Sequence, residues 1–417
     1  MPGFPLFFLQ LALGDSVFEN GFFNQFKAAK ANLAANASAT FADNTGASGL
    51  TPTPIFDTAF AGQPSAFTNS TFIYDLQTGQ AGALAGSLAS NYSYFCNLVG
   101  GNSNFTPCNG SGGLGTYPIN MFQVNPYATG ELLELLSDPG GSTYNALQVQ
   151  WKHPSGHGLM LAANYTYSHG LTNRWLGDYY TSDEVQYNFT TLRNPGLNKG
   201  PSPYDLRHQF KAHFTYALPF GKGRQFQIGS RVLDNIIGGW TGGSIVSASS
   251  GLPFKLLGGQ NTYNYSFATY PDASDSGVVL NGITLSQLRN NVGVYPGPSP
   301  YVPTVAINPQ FLAAHPNAIL PESTPGQLGQ ISYLSGPKIF DIDFSLKKEF
   351  PIYQRLHLAL WAECLNAFNH PVWGIPGNTP NAGPQPADFM NVSASNYDAL
   401  GLVNNPRTIE FRLQLMF

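Results

Sequence analysis

The chain has 417 residues, 19 basic against 23 acidic side chains, and only 10% charged residues beside 13% aromatic ones. A formal net charge of -4 excludes a nucleic-acid footprint, and charge far below the roughly 25% of soluble domains argues against a fully solvated surface. Mean hydropathy is -0.12, and no run approaches the roughly 18 apolar residues of a membrane-spanning helix, so any span must be built from strands.

In chain order, the apolar stretch Phe4 to Leu13 comes first. It lacks a basic leader and a small-x-small cleavage site, so either export information is expected upstream or the chain is expected to be a fragment of a longer reading frame. Residues 1–141, rich in Gly, Asn, Ser, Ala and Pro, are expected to be a loop-rich region of extracellular loops, with one amphipathic helix from Phe18 to Ala35 and few strands. Cys96 and Cys108 bracket a Gly/Asn-rich segment. An oxidising compartment would let them form a disulfide and leave Cys364 a thiol.

From Ser142 the pattern changes to period-two alternation, which puts apolar side chains on one face of a strand and polar ones on the other. Leu147, Val149 and Trp151 alternate with Gln148, Gln150 and Lys152, and Pro154-Ser155-Gly156 is expected to turn the chain into a second strand, Leu159 to Tyr167. A polar insertion, His169 to Pro203, leads to a third strand carrying Phe210, Ala212, Phe214, Tyr216 and Leu218, then a turn at Pro219-Phe220-Gly221-Lys222-Gly223. Another strand follows around Trp240, Val246 and Ala248, then a second long loop from Gly251 to Pro337. Phe340, Ile342, Phe344 and Leu346 then oppose Asp341, Asp343, Ser345 and Lys347; Leu356, Leu358, Leu360 and Ala362 oppose His357, Ala359, Trp361 and Glu363. The last strand sets Ile409, Phe411, Leu413, Leu415 and Phe417 against Thr408, Glu410, Arg412, Gln414 and Met416. Short turns alternating with long loops predict an all-β fold, an antiparallel transmembrane β-barrel with tight periplasmic turns and long extracellular loops, over residues 142–417.

The conspicuous polar residues support no catalytic or metal centre. His153 and His157 have a spacing that ligates metal on a helix, but a turn-forming spacer separates them. Asp205, Arg207 and His208 lack an activated nucleophile and read as a local ion pair that fixes a loop. Gly110 to Gly115 and Gly221-Lys222-Gly223 lack P-loop spacing. Alternation splits Glu363 to His370 between two faces, and Asp178, Asp183 and Glu184 read as a solvated loop. No enzyme activity and no cofactor is expected.

Several segments together resemble the TonB-dependent receptors of the Oar-like group over about the last two-thirds of the chain. They are Ser142-Thr143-Tyr144-Asn145-Ala146-Leu147-Gln148-Val149, Tyr165-Thr166-Tyr167-Ser168-His169, Tyr204-Asp205-Leu206-Arg207-His208, Leu218-Pro219-Phe220-Gly221-Lys222-Gly223, and Glu363 through Asn366, Phe368, Asn369 and His370 to Pro371. The resemblance implies the C-terminal part of a barrel of about 22 strands, of which period-two alternation marks roughly seven to ten here. The plug, the TonB-contacting segment and the secretion signal of that family are not recognisable. It also implies that Phe411, Leu413, Leu415 and Phe417 form the terminal signal read by the barrel-assembly machinery. The expected function is uptake or capture of a large solute, with outer-membrane lipid as the immediate partner and the TonB system as a partner of a plug-bearing form. The alternative is a non-transporting surface protein that displays its loops for adhesion or binding.

Overall fold

The computed structural model describes residues 20–36, 49–100, 108, 115–119, 121–122, 141–156, 158–173, 195–263, 276–299, 302–353, 355–371, 373 and 406–417. Asp178, Asp183, Glu184, His157, most of Gly110 to Gly115 and the Phe4 to Leu13 stretch lie outside them. Its elements fall into a strand ladder, an insertion within that ladder, and a helical unit ahead of both.

The helical unit corrects the expectation of loop for residues 1–141. Among its described residues are helices α1 (Phe22–Ala35), α2 (Pro54–Ala59), α3 (Ser70–Thr78), α4 (Ala81–Ser90) and α5 (Tyr92–Val99), with a 3₁₀ turn at Pro64–Thr68 and no strand. The small polar residues that suggested loop are largely helix punctuation. Asn69 caps α3 by accepting from Thr71 N at 2.9 Å, and Asn91 caps α5 by accepting from Ser93 N at 3.0 Å and Tyr94 N at 3.4 Å. An Asn side chain in that position satisfies backbone donors that the first turn leaves orphaned. Pro54 opens α2, and Gly79 ends α3 with φ 76°. Between these caps, apolar residues at helical spacing bury Phe22, Phe26, Phe56, Phe60, Phe67, Phe72, Leu76 and Leu88 in one core. Its rings meet edge to face, Phe22–Phe56 at 5.6 Å, Phe56–Phe72 at 5.5 Å and Phe60–Phe72 at 5.2 Å between centroids. Such pairs add about 0.5–1.5 kcal/mol each beyond the area they bury.

The ladder begins at Ser142. Strands β1 (Ser142–Gly156), β2 (Leu159–Thr172), β4 (His208–Ala217), β5 (Trp240–Ser249), β12 (Ile339–Tyr353), β13 (Leu356–Leu365) and β14 (Thr408–Met416) pair in that order, every pair antiparallel, while β3 (Gly200–Pro201) adds to one end of β2. The sheet is open: β1 and β14 are its edges, no barrel closes among the described residues, and the 22-strand expectation stands at seven in the main path. The β1–β2 turn corrects another reading. Pro154 to Gly156 belong to β1, and the chain reverses at Gly158 (φ 84°) after a register shift between His153 and Gly156. A proline has no amide to donate, so an edge strand with a bulge accommodates it.

Gly251 to Pro337, read as loop, holds a folded insertion among its described residues. It carries β6 (Pro253–Leu256) paired with β11 (Ser332–Ser335), β7 (Val278–Leu280) with β10 (Ile319–Pro321), and β8 (Val292–Ser299) with β9 (Val302–Ile307). Helices α7 (Leu285–Asn290) and α8 (Pro309–Ala314) pack with them around Phe254, Leu256, Leu288, Ile307, Ile319 and Leu334. β6, β7, β10 and β11 are too short to show a period and prolines interrupt β8 and β9, which is why the sequence reads as loop. The insertion meets the helical unit: Gly82 N donates to Asn261 O at 2.8 Å and Lys30 Nζ to Ser323 O at 3.4 Å. The α3–α4 corner at Gly79 sits so close to the Ser323 backbone that a Cβ has no room.

Candidate functional site

The register turns seven separate alternations into two continuous faces. On one, Leu147 and Val149 of β1 pair with Tyr167 and Tyr165 of β2, Tyr165 with Phe210 of β4, and Phe210 with Ala248 of β5. Ala248 pairs with Phe340 of β12; farther along that strand Leu346 pairs with Ala362 of β13, and Ala362 with Phe411 of β14. These side chains face outward rather than into a core. Leu147 is 61% exposed, Leu413 67% and Phe411 75%. A contiguous apolar face of this extent has no counterpart on an ordinary soluble monomer.

The other face is polar. Gln150 Nε2 donates to Asn164 Oδ1 at 2.8 Å, Lys347 pairs with Glu349 at 2.7 Å, and Lys347 and Arg412 lie over the Trp361 ring at 4.9 and 6.0 Å. Lys211, Asp341, Asp343, Glu363 and Glu410 share its parity. A register slip of one residue would exchange the faces, so the ladder fixes which groups meet water.

The two ends of the ladder differ as well. Gly158 and the step from Tyr353 to Leu356 turn β1 into β2 and β12 into β13 at one end, and the β4–β5 connection lies there too. At the opposite end emerge the connections β2–β4, β5–β12 and β13–β14, together with the helical unit that leads into Ser142.

Conspicuous motifs become fasteners at this second end. Asp205, buried, accepts from Gly170 N at 2.8 Å and lies 3.0 Å from His169 Nδ1 and 3.4 Å from Arg207 Nη2. The ion pair expected of Asp205 and Arg207 is present, but its third member is His169; His208 instead meets the Tyr165 hydroxyl at 2.8 Å. Beyond β13, Asn366 and Asn369 both adopt positive φ, 45° and 50°. Asn366 N donates to Asp343 Oδ1 at 2.9 Å, its side chain brackets His370, and Asn369 Oδ1 accepts from Arg407 N at 3.0 Å. Asparagine tolerates the left-handed conformation better than other side chains, so this segment is a turn lock and not an acid/base cluster.

The helical unit holds a cavity of about 450 Å³, lined by Phe60, Phe72, Asp75, Leu84, Leu88 and Tyr94 among others. Asp75 is 3% exposed, and its Oδ2 has no hydrogen-bond partner. Burial pushes its carboxyl up to about 7. The cavity lining mixes aromatic and aliphatic side chains with Asn69, Thr71, Ser87, Ser90 and Asn91, and the desolvated acid among them suits a ligand that brings a hydrogen-bond donor to it. Sequence reading passed over Asp75 because it had no pattern to join, although its position inside a capped helix with Phe72 and Leu76 was available. Nearby, Cys96 and Cys108 form a disulfide and Cys364 is free. His153 joins no metal-holding group among the described residues.

Residues 3–409 match the family model described as an outer membrane beta barrel domain. The chain belongs to that family. No curated protein and no solved structure matches it. Membership puts this barrel domain in the bacterial outer membrane, and there only the apolar face of the ladder can meet hydrocarbon. Phe411, Leu413, Leu415 and Phe417 lie at the β14 edge, the first three in register with β13 and the last 97% exposed.

Proposed function

We propose that this barrel domain is the wall and ligand-side cap of a TonB-dependent receptor of the Oar-like group, serving uptake or capture of a large solute without catalysis of its own. The observation that carries the reading is the asymmetry of the ladder's ends. One end carries two tight turns and the connection of residues 218–239; the other carries the far longer folded insertion and a helical unit with a pocket. Transmembrane barrels place short turns in the periplasm and long connections outside the cell, so the pocketed end is the outward one. The apolar face takes outer-membrane lipid, and a sheet edge left unpaired in hydrocarbon is not tolerated, so β1 and β14 find strand partners in the membrane. The barrel-assembly machinery reads the alternate residues Phe411 to Phe417, and TonB energises the form that carries a plug.

The test compares solutes remaining in the medium of the native host, a strain lacking this gene and a strain lacking TonB. The reading expects at least one large solute to be consumed by the parent, left behind by both mutants, and consumed again on restoring the gene. A gene deletion that leaves solute consumption identical to the parent under conditions of full expression would overturn it.

A further inference from the structure

The β4–β5 connection is much longer than its two neighbours at the short-turn end, and it is tightly built. Leu218 N donates to Trp240 O at 2.8 Å to close the ladder, and Phe226 N donates to Pro219 O at 2.8 Å and Gly221 N to Phe226 O at 3.0 Å to close a compact turn. Gly221 (φ 114°) lies so close to Gly238 that neither could carry a Cβ. Asp234 Oδ1 accepts from Lys222 N at 2.9 Å, which ties this turn to helix α6 (Arg231–Ile237).

The helix is fastened to the apolar face. Lys348 stands on that face by parity, opposite Trp240 and Leu360. It is 4% exposed, and its Nζ donates to Asn235 O at 2.6 Å, to Ile236 O at 3.2 Å and to Gly238 O, while lying over the rings of Phe350 at 4.9 Å and Trp240 at 5.4 Å. Trp240 Nε1 adds a bond to Ile236 O at 2.8 Å. The cation thus satisfies carbonyls that a helix C-terminus leaves unpaired, which explains a lysine on a face otherwise meeting hydrocarbon.

What the helix turns outward is apolar. Val232 is 69% exposed and Ile236 60%, Leu233 and Ile237 are similarly open, and no residue of α6 is buried. Phe220 and Phe226 stack at 5.5 Å, both exposed. Between positions 219 and 239 stand Lys222, Arg224 and Arg231 against a single acid, Asp234, already used inside the fold. An apolar helix continuous with the hydrocarbon-facing wall, edged with cations, has the chemistry of a membrane-surface element.

We propose that residues 219–239 form a collar on the periplasmic leaflet: the α6 side chains and Phe220 and Phe226 enter the boundary between headgroups and acyl chains, Lys222, Arg224 and Arg231 meet anionic phospholipid headgroups, and Lys348 clasps the collar to the wall. The lipid contact stands on the local geometry and survives whether or not TonB energises the protein; its assignment to the periplasmic leaflet rests on the orientation proposed above.

The test uses the full chain with Cys364→Ser, reconstituted in vesicles of phosphatidylcholine alone or mixed with phosphatidylglycerol, with a fluorophore on Ile236→Cys or, as a control on the wall, Leu413→Cys. Lipids brominated near the top of the acyl chain should quench both sites. Replacing Lys222, Arg224 and Arg231 with Gln should reduce quenching at 236 about two-fold or more in the anionic mixture and leave 413 unchanged. Lys348→Met should release 236 while 413 stays quenched. A chain quenched at 413 but not at 236 overturns the collar, quenching at 236 that is indifferent to headgroup charge overturns the headgroup contact, and unchanged quenching in Lys348→Met overturns the clasp.

Discussion

The ladder and the helical unit use the same apolar residue types in opposite ways. In the helical unit Phe22, Phe26, Phe56 and Leu76 are fully buried against one another. In the ladder Leu147, Trp151, Phe411 and Leu413 are more than half exposed. The first part carries its own core, whereas the second acquires one only when lipid covers it. The lesson is that period decides destination: apolar residues at helical spacing converge on a shared interior, while those at period two on paired strands are held on one face, whose burial depends on what lies beside it.

That contrast breaks most sharply at Phe56. Phe56→Ala should cost the helical unit about 3–5 kcal/mol through lost transfer energy and a cavity, because the ring touches Phe22, Phe60 and Phe72. Membrane insertion of the ladder should not change. Denaturant unfolding followed by proteolysis of the helical unit, beside detergent-resistant insertion, measures both; loss of insertion in step with unfolding would show that the parts are one cooperative unit.

On the ladder the matched pair is Leu413→Arg against Gln414→Arg. Leu413 points to the apolar face and Gln414 to the polar one, paired with Leu360 and Ala359 respectively. An arginine on the lipid face costs about 0–1 kcal/mol near the interface, rising to about 2–4 at the midplane, so Leu413→Arg should lower the folded fraction in vesicles while Gln414→Arg leaves it close to the parent. Equal losses at both positions would mean that the faces are assigned wrongly.

How much of this was legible follows from the same contrast. The ladder was readable because each strand carries its alternation in its own residues: Phe340 to Lys347 and Ile409 to Met416 announce both faces without knowledge of any neighbour. Of the helical unit only α1 was, expected from Phe18 to Ala35 and found at Phe22–Ala35; the rest was hidden, since Gly, Ala, Asn and Ser in Ala81–Ser90 and around Asn69 and Asn91 look like loop until their capping roles are recognised. The insertion was hidden by length, as β7 and β10 span three residues each. At the loop fasteners the Asp205–Arg207 partnership was visible from proximity. Its third member, His169, was not, since it lies 36 residues away and only strand pairing brings it near. Asp75 was missed for lack of any companion motif, and Lys348 because its partners are backbone carbonyls, which a sequence does not display.

The disulfide sharpens the picture within the helical unit. Cys96 and Cys108, 12 residues apart, bury their sulfur-bearing side chains beside Phe95 and Val99. Closing so short a loop stabilises by roughly 2–3 kcal/mol in the chain-entropy account. Cys96→Ser with Cys108→Ser should therefore lower the unfolding midpoint of the helical unit in oxidising buffer, and reductant should reproduce that shift in the parent but add nothing in the double variant. A parent that ignores reductant after its thiols are shown to be free would refute a stabilising role.

The smallest expected effect is the pH response of Asp75, which the ladder should not share. Its carboxyl sits at about 7 in the folded chain because burial disfavours the charged form, against about 4 when unfolded. With the folded value raised, the unfolded chain gives up its proton first. The contribution to stability is therefore complete below about pH 4 and is lost as pH rises through about 7. Between pH 5 and 8 the helical unit should lose about 1–3 kcal/mol from this group. Asp75→Asn, which cannot ionise, should flatten that slope, so that its stability relative to the parent is greater at pH 8 than at pH 5. Ladder insertion should follow the same pH curve in both proteins. Chemical denaturation of the two chains at pH 5, 6.5 and 8 makes the comparison, and parallel stability curves would assign the pH response to other groups and leave Asp75 as an ordinary ionised carboxylate.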